Sequence, residues 1–471
     1  MSTPRRGAAL GLAAALAAIP AILASACRPP VQGNGRNLLL ITIETTRADH
    51  VGAYGYPRGT TPNIDALAKD GLLFESFLTV SPRTNPSLAS MMTSRYPHEH
   101  GVRNLLLTLE PGNRTLAEAL RDAGYLTAAV QTHPRLVEPS GLAQGFDDYD
   151  DDYAAHPRAV EACAAAEAWI REASTRQRPW FLWLHLMDPH WTYDPPEGWR
   201  SRFGPEDPRP ARLYRELREG RITMGSVIFR NTMPPDEVAA FIDHYDAEIA
   251  FTDHAIGRLL AALDELDLRA DTVVALTADH GEALGEHDYY FEHGDLGTEA
   301  EIHVPLILSA PGLLPPGVRA PWTTSSVDLA PTLLDLLGVP PEEDFRGSSL
   351  ASWTASGTGA DRACFGEIDK RFHEENDRRE VDGVAGKWRW IRRGDFKLVH
   401  RPRASGSADR TLYALALDPA ESRDVSALHP EVVAELGAEL DAWLTEDDGT
   451  EREYHITPEA REQLRALGYI N

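Results

Sequence analysis

Short, almost wholly apolar runs alternate along this chain with stretches in which apolar residues recur every three or four positions. Residues 38–43, 179–186, 271–277 and 304–309 are of the first kind, which predicts strands buried on both faces. Residues 74–80 and 125–130 are also strand-like. Residues 63–71, 115–123, 159–174, 236–266 and 327–337 are of the second kind and predict helices, the long 236–266 stretch as one helix or two. Gly71, Gly124 and Gly338 stop three of them and Thr115 caps one. Strand and helix in alternation at this spacing predict an α/β fold with a parallel, helix-covered sheet. Residues 195–235, rich in Pro, Arg and Gly, read as a long irregular insertion of the kind that forms lids and binding loops. After about residue 348 the texture changes: strand patterns at 388–392, 396–400 and 412–415 precede a helix at 430–444, a small α+β appendage.

Polar residues at the ends of those runs carry the candidate chemistry. Glu44 follows the first strand, Asp279 and His280 follow the strand at 271–277, and Thr84 stands where a loop enters a helix-like stretch. The carboxyl ends of strands and the starts of helices are where open α/β sheets bind ligands. Two carboxylates, an imidazole and a hydroxyl suit a hard-to-borderline divalent cation, and the hydroxyl is then both ligand and nucleophile. One imidazole with two carboxylates suits Mn²⁺ or Zn²⁺ better than Ca²⁺, with Ca²⁺ and Mg²⁺ still open. His190 and His293 stand behind this set as candidates to hold an anion or protonate a leaving group. Asp188 reads as structural or, with His190 and His293, as a second metal position. The bland alternatives are a turn with a solvated acid at Asp279 and a plain helix N-cap at Thr84.

Composition narrows the class. The chain has 471 residues, 42% of them apolar and 25% charged, and a net charge of −26. That acidity argues against nucleic acid as a partner, since phosphate backbones are bound by stripes of Lys and Arg. Three cysteines are too few for a disulfide framework. The sequence leaves open whether Cys163 and Cys364 pair with each other, whereas Cys27 follows Ala24-Ser25-Ala26 at the end of an Arg5-Arg6-led apolar run. Basic start, apolar run and small residues describe an export signal, residues 1–26, ahead of a short tether at 27–36. Small residues directly before a Cys resemble the lipobox of bacterial lipoproteins, which implies an exported protein at the bacterial cell envelope, acylated at Cys27 and membrane-bound through that lipid. An uncleaved membrane anchor is the alternative.

Several blocks occur in a telling order: Arg47-Ala48-Asp49-His50, Tyr54-Gly55-Tyr56, Thr61-Pro62-Asn63-Ile64-Asp65, Ser94-Arg95-Tyr96-Pro97-His98, Asp188-Pro189-His190, Ala278-Asp279-His280-Gly281, His303-Val304-Pro305 and Leu467-Gly468-Tyr469. In these the chain resembles the sulfatase family of the alkaline phosphatase superfamily, from Asn37 to the C-terminus. The resemblance implies a three-layer α/β sandwich over residues 37–350, a C-terminal subdomain over 351–471, and a metal-dependent enzyme acting on an anionic ester. Its substrate would be a phosphorylated or sulfated glycan, lipid or small molecule.

The departures matter as much. Sulfatases of this kind convert a Cys or Ser in a Cys/Ser-x-Pro-x-Arg motif to formylglycine; the matching stretch here is Thr84-Asn85-Pro86-Ser87-Leu88, so no formylglycine is expected. Leu88 replaces the motif's arginine, no Lys or Arg lies between Ala278 and Val304, and His133 stands near the place of another customary lysine. Glu44, Thr84, Asp279 and His280 are instead similar to the metal set of phosphoethanolamine transferases and lipoteichoic acid synthases, in which a Thr alkoxide attacks a phosphodiester. A phospho-threonine can be discharged by water more readily than a sulfo-threonine, which favours phosphoester or phosphodiester hydrolysis or phosphotransfer. A sulfatase working without formylglycine, and a catalytically inactive glycan- or anion-binding protein, are the competing readings.

Overall fold

The computed structural model describes residues 33–222, 233–351, 359, 361–368, 387–403 and 407–447. The export signal, the acylation of Cys27 and the closing block around Gly468 lie outside the described residues, as do residues 223–232 of the insertion. Among the described residues no helix is long and apolar enough to cross a membrane.

The first strand, β1 (Asn37–Ile43), is buried along its whole length. Its odd and even residues serve different layers. Leu38 and Leu40 pack with the helices Thr84–Thr93, Leu116–Asp122 and Leu329–Leu337, while Leu39, Ile41 and Ile43 pack with Ala159–Ser174 and Pro235–Glu265. This double burial is why the strand is apolar on both parities, and it makes the expected three-layer sandwich. Each fully buried Leu contributes about 1.5–3 kcal/mol.

Around β1 the sheet contains β2 (Leu72–Leu78), β3 (Leu126–Gln131), β4 (Asp148–Asp150), β5 (Trp180–Leu186), β6 (Thr272–Ala278), β9 (His303–Ser309) and β10 (Val318–Ser325). The order is β10-β2-β9-β6-β1-β5-β3-β4. A small hairpin, β7 (Ala283–Leu284) with β8 (Tyr290–Glu292), stands apart. The sheet corrects the all-parallel expectation at β9, which runs antiparallel to both β2 and β6. A parallel strand after β6 would need a crossover of a dozen or more residues back to the opposite edge. Here the chain stays at the carboxyl edge through the hairpin and a four-residue helix, Glu299–Ile302, and enters β9 from there. β10 went unread because Pro321 interrupts its pattern; it sits at the sheet's edge with a register shift between Ala320 and Thr323, where a proline is tolerated.

The insertion is also less irregular than expected. Asp207 caps a helix, Pro208–Arg218, accepting from Arg209 N at 2.8 Å. Proline in the first turn suits a helix start, and the Pro- and Arg-rich composition had hidden it. Pro235–Glu265 is one continuous helix.

The C-terminal subdomain is a four-stranded antiparallel sheet, β11 (Cys364–Ile368), β12 (Trp388–Arg393), β13 (Phe396–Pro402) and β14 (Ala408–Ala414), with Pro430–Leu444 packed on it. β11 adds a strand to the three expected. Cys163 and Cys364 are both buried and free, one in the sandwich and one in the subdomain, so they do not pair.

A buried ion cage joins subdomain and sandwich. Arg103 grips Glu367 through two hydrogen bonds of 2.8 Å and Asp447 through bonds of 3.2 and 2.7 Å, and Arg389 reaches Asp447 at 3.0 Å. Burial pushes the Glu367 carboxyl up, but Arg389 and Arg103 outweigh it and hold the group at about 2, against an ordinary 4.5. A depressed carboxylate contributes stability that is present above its unfolded value and lost as pH falls towards its folded one. Here that window lies between about 4.5 and about 2, and the contribution is about 3 kcal/mol. Urea unfolding from neutral pH down to about pH 3 is expected to show a shallower acid-side loss in Glu367→Gln than in the wild type. Equal slopes would contradict the cage.

Candidate active site

Sheet register brings the acids together. Ile43 lies opposite Ala278 in the parallel β1–β6 pair, so Glu44 and Asp279 leave the sheet side by side. Glu44 still pairs its N–H with Leu186 O at 2.8 Å, which fixes it against β5 on its other flank. Thr45 then turns with φ at 49°, a left-handed conformation that costs a residue with a Cβ about 1–2 kcal/mol. The turn aims the Thr45 N–H at Asp279 Oδ1, 3.1 Å away.

Thr84 is the first residue of the wholly buried helix Thr84–Thr93, with Pro86 in its first turn. Its Oγ1 donates to Glu44 Oε1 at 2.7 Å and lies 3.4 Å from His280 Nε2. The partial positive charge of a helix start favours an oxygen that becomes negative there. Ser87, one turn on, donates to the Asp279 backbone oxygen at 2.6 Å and meets Thr79 Oγ1 at 2.7 Å. It therefore fastens the helix that carries Thr84 to the strand end that carries Asp279. Sequence reasoning gave Ser87 no role.

The four expected metal ligands converge. Ligand atoms of Glu44, Asp279 and His280 all lie within 4.8 Å of one another, each residue fully buried. His280 Nε2 is 3.5 Å from Glu44 Oε1 and 3.2 Å from Asp279 Oδ2. Donors bound at about 2 Å to one tetrahedral ion stand about 3–3.5 Å apart, so the separations fit. His280 Nδ1 faces the Gly281 carbonyl at 2.9 Å; donating there leaves the Nε2 lone pair for the cluster. Asp279 Oδ2 has no hydrogen-bond partner among the described residues. An orphaned carboxylate oxygen in a dry pocket is what a cation would satisfy.

The electrostatics agree. Burial raises the Glu44 carboxyl, but His133, His185 and His280 together hold it well below the usual range. Burial and the charge of Glu44 push Asp279 well above its usual range. Burial lowers His280, yet Asp279 and Glu44 raise it to about 9. Without a metal, His280 thus keeps a proton as the local positive charge, which a divalent cation would replace.

Beside the cluster stands a row of imidazoles. Ring centroids are 4.2 Å apart for His280 and His293, 5.4 Å for His293 and His190, and 6.3 Å for His190 and His133. Burial lowers all of the last three, His133 to about 3, so they are neutral at ordinary pH. His133 accepts from Arg135 N through Nδ1 at 3.0 Å, which puts its proton on Nε2. That Nε2 is buried without a hydrogen-bond partner among the described residues. His190 and His293 thus stand in the row beside the cluster, with His190 Nδ1 donating to the Trp191 carbonyl at 2.5 Å. Arg83, directly before Thr84 and buried, supplies a cation the reading had not used: its Nη2 reaches Gly294 O at 3.2 Å and Asp295 Oδ1 at 3.4 Å.

Asp188 is not brought in. Its Oδ1 faces Arg158 Nη1 at 3.7 Å, and the same Nη1 contacts Glu248 at 3.1 Å. Burial raises both acids, helped by Glu161 beside Asp188 and by Asp188 beside Glu248, Asp188 to about 7 and Glu248 to about 8. The second metal position of Asp188, His190 and His293 is therefore corrected: Asp188 belongs to a structural cage turned towards the helix side, and the three form no ligand group among the described residues. Arg47 and Asp49 pair with each other at 2.7 Å and brace the loop.

Comparison with known proteins gives one direction. The family model described as Sulfatase matches residues 36–339, and that described as N-sulphoglucosamine sulphohydrolase, C-terminal, matches residues 285–447. The chain is similar to the Ulvan-active sulfatase of Formosa agariphila, 25% identical over 67% of this chain and 64% of that protein, less than two thirds of its length. It is similar to the N-acetylglucosamine-6-O-sulfatase of Bacteroides thetaiotaomicron at 24% identity over 86% of this chain and 85% of that one. Among solved structures, the phosphonate monoester hydrolase of Agrobacterium radiobacter shares the fold with a TM-score of 0.71 at 24% identity, over 88% of this chain and 96% of that chain.

Proposed function

The chain belongs to the sulfatase family, whose enzymes bind a divalent metal, and from that premise we propose a hydrolase of singly charged anionic esters with Thr84 as nucleophile. Phosphodiesters and phosphonate monoesters rank ahead of sulfate esters as substrates. The observation that carries this reading is the position of Thr84 Oγ1, at a helix start, 2.7 Å from Glu44 Oε1 and 3.4 Å from His280 Nε2.

Glu44 Oε1, Asp279 Oδ2, His280 Nε2 and Thr84 Oγ1 would hold the cation. The chemistry such an ion supplies is Lewis acidity, lowering the pKa of a hydroxyl and offsetting charge on the transferred group. Thr84 Oγ1 attacks phosphorus in line with the leaving oxygen, forming one P–O bond as the other breaks. His133 Nε2–H, with its proton unspent, donates to a non-bridging oxygen. His293 holds the same group, and the proton that leaves Thr84 Oγ1 ends on the leaving oxygen, carried by His190 Nε2, whose ring gives its own hydrogen from Nδ1 to the Trp191 carbonyl. Water then attacks the phospho-threonine and restores the hydroxyl. Neutral imidazoles in place of lysines favour one negative charge over two on the group they bind. The phosphonate monoester hydrolase sharing the fold works on such a monoanion by its name.

Sulfate esters are also monoanions, and the sulfatases similar to this chain favour them as the second reading. A sulfated or phosphorylated glycan is the natural form for either ester. Turnover of aryl phosphonate, bis-aryl phosphate, aryl phosphate and aryl sulfate esters by the metal-loaded protein separates the readings. Faster turnover of the diester and phosphonate supports the first; sulfate turnover that depends on Thr84 reverses the ranking. Bound metal without turnover of any ester would favour an anion-binding role.

The same proposal places the protein at the bacterial envelope, acylated on Cys27, on the strength of the N-terminal residues alone. Labelling with a fatty-acid analogue, lost in Cys27→Ala, is the expected result.

A further inference from the structure

His185 lies inside β5, level with Thr42 of β1, and its ring nitrogens are both engaged. Trp183 Nε1 is 2.9 Å from Thr42 Oγ1, Thr42 Oγ1 is 2.8 Å from His185 Nδ1, and His185 Nε2 is 2.7 Å from Glu44 Oε2. All four side chains are buried. The direction of the hydrogens in this line is fixed from its two ends. An indole N–H can only donate, so Thr42 Oγ1 accepts from Trp183 and keeps its own hydrogen to give. At the other end the Glu44 carboxylate can only accept, so His185 Nε2–H donates to Oε2, and the bare Nδ1 of the neutral imidazole takes the Thr42 hydrogen.

The consequence is felt at Glu44. With Oε2 held by His185, only Oε1 faces Thr84 and His280. Asp279 is held the same way from the other side, its Oδ1 accepting from the N–H groups of Thr45 (3.1 Å) and His280 (2.8 Å), which leaves Oδ2. Both carboxylates are thereby limited to one oxygen each. Four single donors suit a small ion of low coordination number, whereas Ca²⁺ seeks six to eight oxygens and takes carboxylates by both.

We propose that His185, oriented by the Trp183–Thr42 line, is a positioning residue that presents Glu44 to the metal through Oε1 alone and so sets both the affinity and the choice of ion. This rests on the metal-site reading of Glu44, Asp279, His280 and Thr84. Nothing in the sequence marked His185, because a histidine within an apolar strand reads as core.

The test is the binding of Zn²⁺ and Ca²⁺ to the metal-free full-length protein, measured by competition with a chromophoric chelator, with near-UV circular dichroism as the check on folding. In His185→Leu the Zn²⁺ dissociation constant is expected to rise about 10–100-fold, the usual effect of losing an outer-shell partner, while that for Ca²⁺ changes less. His185→Gln keeps an N–H for Glu44 and is expected to recover most of the loss. A purely structural role would lower the melting temperature of the metal-free protein in both variants without changing the Zn²⁺ to Ca²⁺ ratio. A folded His185→Leu with wild-type affinity and ratio overturns the inference. Should His185→Leu fail to fold, Thr42→Val, which swaps a hydroxyl for a methyl, decides: weaker Zn²⁺ binding supports the line and unchanged binding overturns it. A wild type that binds neither ion overturns the metal site itself and this inference with it.

Discussion

Thr84→Ala is expected to lower kcat/KM by about 10⁴-fold or more on whichever ester proves fastest, the scale seen when a covalent nucleophile is removed. The helix it begins is buried throughout and tied to Asp279 by Ser87, so the variant keeps its scaffold. Three metal donors remain, because Glu44 is still held through Oε2 by His185 and Asp279 through Oδ1 by two backbone amides. Metal binding is therefore expected to weaken modestly while turnover collapses. That split separates a nucleophile from a residue that merely starts a helix: Arg83, not Thr84, occupies the N-cap, and the loss of a cap would cost about 1 kcal/mol of stability and leave the chemistry running. Thr84→Ser keeps the hydroxyl and is expected to retain measurable turnover. Mass spectrometry of the wild type quenched during turnover should find a phosphoryl or phosphonyl adduct on the peptide containing Thr84. Wild-type turnover by Thr84→Ala would remove Thr84 from the chemistry altogether.

How much of this was legible in the sequence follows from which physical signals a linear pattern carries. Glu44, Asp279 and His280 were readable because each directly follows an apolar strand, where an acid must be exposed, paired or bound. Thr84 was readable because Thr-Asn-Pro opens a helix. Their convergence was not, since it depends on the order of β1, β6 and β5 in the sheet. His185 was invisible for the reason that β5 was easy to find: a strand buried on both faces looks uniformly apolar, and its one imidazole was absorbed into the pattern. Asp188 misled in the opposite sense. It sits two residues before His190 in a suggestive block, yet the strand ends at Leu186 and the chain turns there, His190 N–H closing on the Met187 carbonyl at 2.9 Å, and the partners of Asp188 proved to be Arg158 and Glu248. Direction reversal at β9 escaped because periodicity reports burial and says nothing of polarity.

Adding a divalent cation to the metal-free protein is expected to raise its stability by about 4 kcal/mol at a concentration a thousand times the dissociation constant, and Asp279→Asn is expected to abolish most of that gain. The asparagine keeps the shape and can still accept from Thr45 and His280 through its oxygen, but it turns an amide towards His280 Nε2, which Oδ2 now faces at 3.2 Å without a hydrogen bond. pH separates the two states of the site. A His280 raised to about 9 stabilises the metal-free fold most below its unfolded value of about 6.5, and that contribution fades as pH rises through about 9. The metal needs the same nitrogen deprotonated, so binding releases a proton and tightens by about tenfold per pH unit over that interval. The two contributions therefore run in opposite directions on one atom: alkali loosens the metal-free protein and strengthens its hold on the ion. Thermal unfolding with and without Zn²⁺ at several pH values measures both. In Asp279→Asn the largest opposing charge on His280 is gone, so its proton should leave at lower pH and the alkaline loss of the metal-free form should shift downward with it. A gain from metal that is the same at pH 6 and pH 8, or that survives in Asp279→Asn, would place the ion somewhere other than this cluster.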